Sequence, residues 1–227
     1  MKSTPPIHTS IVEPERRIPV AGAADVVVAG GGPAGCAAAI AAARCGASVI
    51  LLENCGCLGG IMTSGLMSNV NDSAGKGGFL RELLTALTAE GAAGDYSSFA
   101  PETVKVFLER FVREAGIDIR LYSSVVSAVS LAGRLDAVIA ESPAGRQAFR
   151  GRIFIDCTGD GDLAAHAGCG FEIGNPADRE IQAASLCALV YGPEADSIPE
   201  LCRQAEDEGK RQLLALLTQA GSAPSYR

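Results

Sequence analysis

Residues 25–29 form a continuous, Val-rich apolar run. Such a run suits a strand buried on both faces of a parallel sheet. Gly30, Gly31, Gly32, Pro33, Ala34 and Gly35 follow directly. An alanine-rich segment then predicts a helix through Arg44, closed by Gly46. A second apolar run, residues 47–52, ends on Glu53. Together these make a strand–turn–helix–turn–strand unit of about 30 residues.

A glycine-rich loop occupies residues 54–78. Phe79, Leu80, Leu83, Leu84 and Leu87 then recur on one side of a predicted helix. A second helix starts at Pro101, a favoured first-turn residue, and carries Val104, Phe107, Leu108, Phe111 and Val112 at the helical period. Gly116 closes it, and residues 117–122 read as a third parallel strand.

The rhythm changes at 125–150. Residues 125–131, 135–142 and 147–149 read as short antiparallel strands, with turns at Gly133 and at Pro143/Gly145. A buried strand is predicted at 153–156, then a short helix through Ala167. Beyond 174 the pattern weakens to one strand at 183–191 and helical segments at 200–208 and 211–219. The expected fold is α/β: a Rossmann-like domain over 25–173, with a parallel sheet, helices and a β-meander. An extended tail (1–24) precedes it, and an incomplete, partly helical subdomain (174–227) follows.

Composition narrows the function classes. The chain has 227 residues, 48% of them hydrophobic, which excludes a wholly disordered chain. Nineteen basic against 26 acidic residues give a net charge of −7, so nothing broad attracts nucleic acid. No apolar run reaches the roughly 20 residues of a membrane span, and no secretory signal is evident. A cytoplasmic protein is expected. The eight cysteines lack a C-x-x-C pair, and with only two histidines there is no zinc spacing. Most read as small buried hydrophobes.

The candidate chemistry begins at Gly30-x-Gly32-x-x-Gly35. A strand precedes the motif, a helix follows, and an acid, Glu53, ends the next strand about 20 residues on. Gly30 permits the tight turn, Gly32 lets backbone approach a pyrophosphate, and Gly35 allows close helix–strand packing. The helix N-terminus offers free amides to phosphates, and Glu53 can accept from ribose hydroxyls. Glu53 would repel a 2′-phosphate, which leaves FAD and NAD. The meander, followed by a strand and Thr158-Gly159-Asp160, favours FAD.

The segments DVVVAGGGPAGCAAAIAAARCGASVILLE, LGGIMTSGL and FIDCTGDGDLAAHAG resemble the FAD-dependent oxidoreductases of the glutathione-reductase-like structural class. More narrowly, they resemble the group that includes heterodisulfide reductase A-like proteins. The resemblance covers about residues 18–192. It implies that Gly30, Gly32, Pro33, Ala34 and Gly35 hold the pyrophosphate, and Glu53 the adenosine ribose. Gly59 and Gly60 would lie on the phosphate–ribityl side, and Val125 would offer its backbone to adenine. Thr158, Gly159 and Asp160 would close over the cofactor. Asp160 also reads as the cap of the following helix.

The resemblance has departures. The redox C-x4-C pair of disulfide reductases is replaced by Ile61, Met62, Thr63, Ser64 and Gly65. Relatives often carry [4Fe–4S] clusters, whose dense cysteine run is absent here, so a cluster is implied by resemblance alone. Cys55 and Cys57 read as loop thiols and His166 as a packed or capping residue. Arg81 and Arg113 are expected on solvated helix faces. Relatives continue to a second glycine-rich segment that meets the flavin ring. Its absence before Arg227 suggests a truncated, fragmentary or split form whose exposed apolar surface invites a partner or self-association.

The expected activity is hydride or electron transfer between FAD and a small-molecule substrate or electron carrier. An NAD-binding dehydrogenase domain and a non-catalytic Rossmann subunit needing a partner remain the alternatives.

Overall fold

The two apolar runs lie side by side as strands β1 (Val20–Ala29) and β2 (Val49–Leu52), paired in parallel from Val26↔Val49 to Ala29↔Leu52. In the computed structural model, residues 13–93 and 98–182 are described, with the isolated positions 187, 215, 218 and 219. The chain divides into two compact units, Met1–Ser185 and Leu186–Arg227, a division beyond the expected boundary after 173. All elements named below belong to the first unit. The strand and helices expected across 183–219 fall largely outside the described residues.

Helix α1 (Pro33–Arg44) connects β1 to β2. Helices α2 (Gly78–Ala89) and α3 (Pro101–Glu114) follow, then β3 (Asp118–Arg120). Strands β4 (Ser124–Leu131), β5 (Arg134–Ser142) and β6 (Gly145–Asp156) lead to the short helix α4 (Asp162–His166). One six-stranded sheet has the order β3-β2-β1-β6-β5-β4. The pairings β3·β2, β2·β1 and β1·β6 are parallel, and β6·β5 and β5·β4 antiparallel. This is the Rossmann-like α/β architecture with a meander.

The continuous apolar runs have a direct cause, because β1 and β2 bury both faces. Val26, Val28, Val49 and Leu51 pack under α1, α2 and α3 against Ile40, Leu83, Leu87, Val104, Leu108 and Val112. Val27, Ala29, Ile50 and Leu52 face the other way, against Val138, Ala140, Phe149 and Leu163. Each fully buried Val or Leu contributes about 1.5–3 kcal/mol. Phe79 of α2 meets Phe111 of α3 edge-on at 5.6 Å, joining the two helices.

Two strand expectations need correction. Residues 20–24, read as tail, belong to β1: Val20 pairs with Ala148, and residues 22–24 continue the ladder to Gly151. The stretch Ala21-Gly22-Ala23-Ala24 has weak strand propensity, but its small side chains leave room. A Cβ at Gly22 would come within 2.9 Å of Ile50 Cδ1 and 3.4 Å of Phe149 Cδ1. Residues 147–149 and 153–156 are not separate strands but parts of β6. Arg150, Gly151 and Arg152 interrupt its apolar pattern without breaking it. Arg150 pairs with Asp136 at 3.2 Å and Arg152 with Asp25 at 3.3 Å. Gly151 lets Val27 and Phe154 approach. The end of β6 is also less buried than expected, with Ile153 exposed and residues 154–156 half-buried. Among the described residues no helix is long and apolar enough to cross a membrane.

Candidate functional site

The carboxyl ends of β1, β2 and β6 converge on a cleft of about 660 Å³, the usual position of ligand sites in open α/β sheets. Gly30 stands at the convergence. Its amide donates to the Leu52 carbonyl at 2.8 Å, and the Cys157 amide donates to Ala29 beside it at 2.8 Å. With φ +94°, and with the Cys157 carbonyl where a Cβ would lie, only glycine fits there.

The N-terminus of α1 forms one wall through Gly32, Pro33 and Ala34. Gly32 is the N-cap in extended conformation and makes no side-chain capping bond. The first-turn amides of Ala34 and Gly35 have no intrahelical acceptor, so this uncapped end carries free donors and partial positive charge. A Cβ on Gly32 would meet nothing within 4 Å. Gly35 does not line the cleft. A Cβ there would overlap the Gly30 carbonyl oxygen, so its role is to let helix and turn pack.

Glu53 lies in the cleft beyond β2 and is buried. Its Oε2 accepts from the Gly31 amide and its Oε1 from the Cys55 amide, each at 2.6 Å. Segment 120–123 holds its backbone: the Glu53 amide donates to the Arg120 carbonyl, and the Ser123 amide to the Glu53 carbonyl. The carboxylate is thereby fixed, with lone pairs to spare.

The second glycine turn closes against the first. Gly59, at φ +105°, donates its amide to the Gly31 carbonyl at 2.8 Å. It does not line the cleft, whereas Gly60, Ile61, Ser64 and Gly65 do. A Cβ on Gly60 would lie 3.0 Å from Gly32 Cα. The buried Thr63 hydroxyl donates to the Leu58 carbonyl at 2.6 Å.

The remaining walls come from Ser123, Ser124 and Val125, and from Thr158, Gly159, Asp160 and Asp162. Val125 sits on the edge strand, paired with Ala140, just before the register shift that leaves Val126 without a partner in the ladder. Asp156 organises the last turn. Its Oδ1 accepts the Thr158 amide and hydroxyl at 3.0 and 2.7 Å, and its Oδ2 the Ala164 amide at 2.8 Å. Thr158 Oγ1 in turn accepts from the Asp162 amide. Burial works to raise the Asp156 pKa, but the hydrogen bonds from Ala164, Thr158 and Leu163 prevail and hold it below the usual carboxylate value. Gly161, not Asp160, is the N-cap of α4.

The structure thus gathers Gly30, Gly32, Pro33, Ala34, Glu53, Gly60, Val125, Thr158, Gly159 and Asp160 around one cleft. The sequence reading did not assign Asn54, Ser64, Ser123, Ser124 or Asp162 to it. Ser123 and Ser124 are recoverable from their adjacency to Val125, but Asn54 and Ser64 carry no motif. His166 is exposed in the last turn of α4 and does not line the cleft, so of the packed and capping roles expected for it the packed one does not hold. Arg81 and Arg113 are exposed on their helices, as expected.

The described cysteines are all free thiols. Burial pushes the Cys36 thiol up to about 12. Cys55 lines the cleft, and burial raises its thiol too, reinforced by the charge of Glu53. Cys57 Sγ lies 3.3 Å from Ser64 Oγ. Among the described residues no group of three or more His, Cys, Asp or Glu is placed to hold a metal ion.

Comparison with known proteins agrees with this arrangement. Several solved structures share the fold at low sequence identity. The myxobacterial chondrochloren halogenase, an FAD-dependent halogenase, is 20% identical (TM-score 0.50, 61% of this chain and 38% of that one). The flavin-dependent brominase Bmp2 is 16% identical (TM-score 0.51, 64% and 40%). The anhydrotetracycline hydroxylase OxyS from Streptomyces rimosus is 20% identical (TM-score 0.51, 68% and 35%). The chain therefore spans well under half the length of these three. Among curated proteins no sequence matches. The profile of the FAD dependent oxidoreductase family matches residues 25–222, most of the sequence, and the chain belongs to that family.

Proposed function

We propose that the cleft binds FAD, and that the chain serves hydride or electron transfer between the flavin and a small-molecule substrate or electron carrier. The observation that carries this reading is the meeting of the uncapped α1 N-terminus with the fixed Glu53 carboxylate through one peptide, Gly31. The α1 N-terminus, with the Ala34 amide on the cleft, would bind the pyrophosphate, with Gly30, Gly32 and Pro33 allowing its approach and Gly35 packing the helix onto the turn. Glu53 would accept from the adenosine ribose and exclude a 2′-phosphate. Val125, which lines the cleft on the edge strand, would bond adenine through its backbone. Gly59 would shape the second turn, and Gly60 would face the phosphate–ribityl portion. Thr158, Gly159 and Asp160 would cover the cofactor from the end of β6.

When bound, FAD supplies the redox chemistry; the protein supplies binding, orientation and electrostatics. The motifs LGGIMTSGL and TGDGD support membership of the glutathione-reductase-like class, in the group with heterodisulfide reductase A-like proteins.

The test is direct. The purified chain is incubated with FAD, desalted, and its absorbance recorded, with parallel titrations by FAD and NAD. Retained flavin bands and FAD affinity exceeding NAD affinity are expected. Tight NAD binding without FAD binding would overturn the proposal.

A further inference from the structure

The two glycine turns of the cleft come from segments with no strand pairing between them, yet they touch. One amide joins them, from Gly59 to the Gly31 carbonyl at 2.8 Å. Gly31 is a hub: its own amide donates to Glu53 at 2.6 Å, and its carbonyl also receives the Cys36 thiol at 3.2 Å. The spacing of the turns therefore depends on what orients the Leu58–Gly59 peptide. Two contacts do so. Leu58, fully buried, packs where a Cβ on Gly31 would lie. Thr63, also fully buried, donates its hydroxyl to the Leu58 carbonyl at 2.6 Å. Its γ atoms fill the space that a Cβ on Gly59 would need.

We infer that Thr63 is a positioning residue for the cofactor. Its hydroxyl fixes the Leu58–Gly59 peptide so that the second turn stands at the correct distance from the first. This rests on the reading of the cleft as an FAD site, and it goes beyond that reading because Thr63 does not line the cleft. The argument is one of satisfied groups. Without the hydroxyl, the Leu58 carbonyl is buried without that partner, and the peptide gains by rotating towards another donor. Rotation carries the Gly59 amide off Gly31 and moves Gly60 away from Gly32. The adenosine end, built on Glu53 and Val125, is left standing.

The test uses the full chain and the variants Thr63→Val and Thr63→Ser, titrated with FAD and, separately, with AMP as a probe of the adenosine end. T63V keeps the shape and loses the hydroxyl. It is expected to weaken FAD by roughly five- to a hundredfold, with AMP affinity within about twofold of wild type. T63S keeps the hydroxyl and is expected to hold FAD within about twofold. Equal FAD affinity in wild type and T63V overturns the inference alone. Parallel loss of FAD and AMP in T63V overturns it too, since that marks general loosening. T63S decides the matter even if T63V folds poorly, because a loss of FAD there assigns the role to the γ-methyl packing. A wild-type chain that takes up no FAD overturns the reading of the cleft itself.

Discussion

The Gly31 amide and the Glu53 carboxylate meet at 2.6 Å across 22 residues of sequence, inside the protein. The bond ties the turn after β1 to the end of β2. With the Cys55 amide on its other oxygen, Glu53 is committed to main-chain donors before any ligand arrives. Glu53→Gln turns one acceptor into an NH2 that must face an amide. A stability loss of about 1.5–3 kcal/mol follows, with FAD affinity lowered about tenfold or more. Denaturant melts and fluorescence titration measure the two effects, and unchanged values in both would refute the role.

The neighbouring glycines divide binding from folding. Gly32 is open on the cleft, with a backbone that any residue adopts. Gly32→Val is expected to leave the melting temperature nearly unchanged and to abolish FAD uptake. Gly35→Ala forces a methyl onto the Gly30 carbonyl and is expected to destabilise the fold by several kcal/mol, about what severe overpacking costs. Calorimetry alongside flavin retention separates them; a G32V protein that keeps FAD would move the pyrophosphate elsewhere.

Asp156 predicts an acid limb. Its folded pKa lies below the unfolded carboxylate value of about 3.9. The stabilisation is therefore complete above that value and is lost as pH falls through the lower folded pKa. Asp156→Asn is expected to lower stability at neutral pH and to flatten the acid limb between about pH 5 and 2. Melting temperature against pH for both proteins checks this, and superimposable acid limbs would contradict it.

The thiols give a map independent of activity. Exposed Cys45 and Cys169 are expected to alkylate quickly in the native protein, and Cys36, held near 12 by burial, only on unfolding. Cys55, in the cleft wall, is expected to react slowly and more slowly still with FAD present. Mass spectrometry after timed alkylation reads each site; FAD protection falling on Cys45 instead would place the ligand wrongly.

What the sequence made legible was local. The glycine turn after β1 was readable because glycines at fixed spacing answer local demands, as Gly30 does with its positive φ. Glu53 was readable because it ends an apolar run. The continuity of β6 was not, because Arg150 and Arg152 are neutralised by Asp136 and Asp25, which no periodicity joins. Thr63 and Asp156, which brace the turns around the cleft, were missed for a related reason. Their work is done on backbone groups brought near by the turns themselves, and such partners leave no hydrophobic pattern.

The double pairing of β6, parallel to β1 and antiparallel to β5, has a consequence for biosynthesis. Ala29 and Asp156, 127 residues apart, must pair before the floor of the cleft exists. A nascent chain that has released β1, α1 and β2 holds the whole glycine motif but not the Cys157 and Thr158 backbone that Gly30 was shaped to meet. One long edge of β1 then waits unpaired while most of the domain is still to be made. Slow, long-range closure of that kind favours sticking between chains, so slower translation or a lower temperature should raise the yield of folded protein.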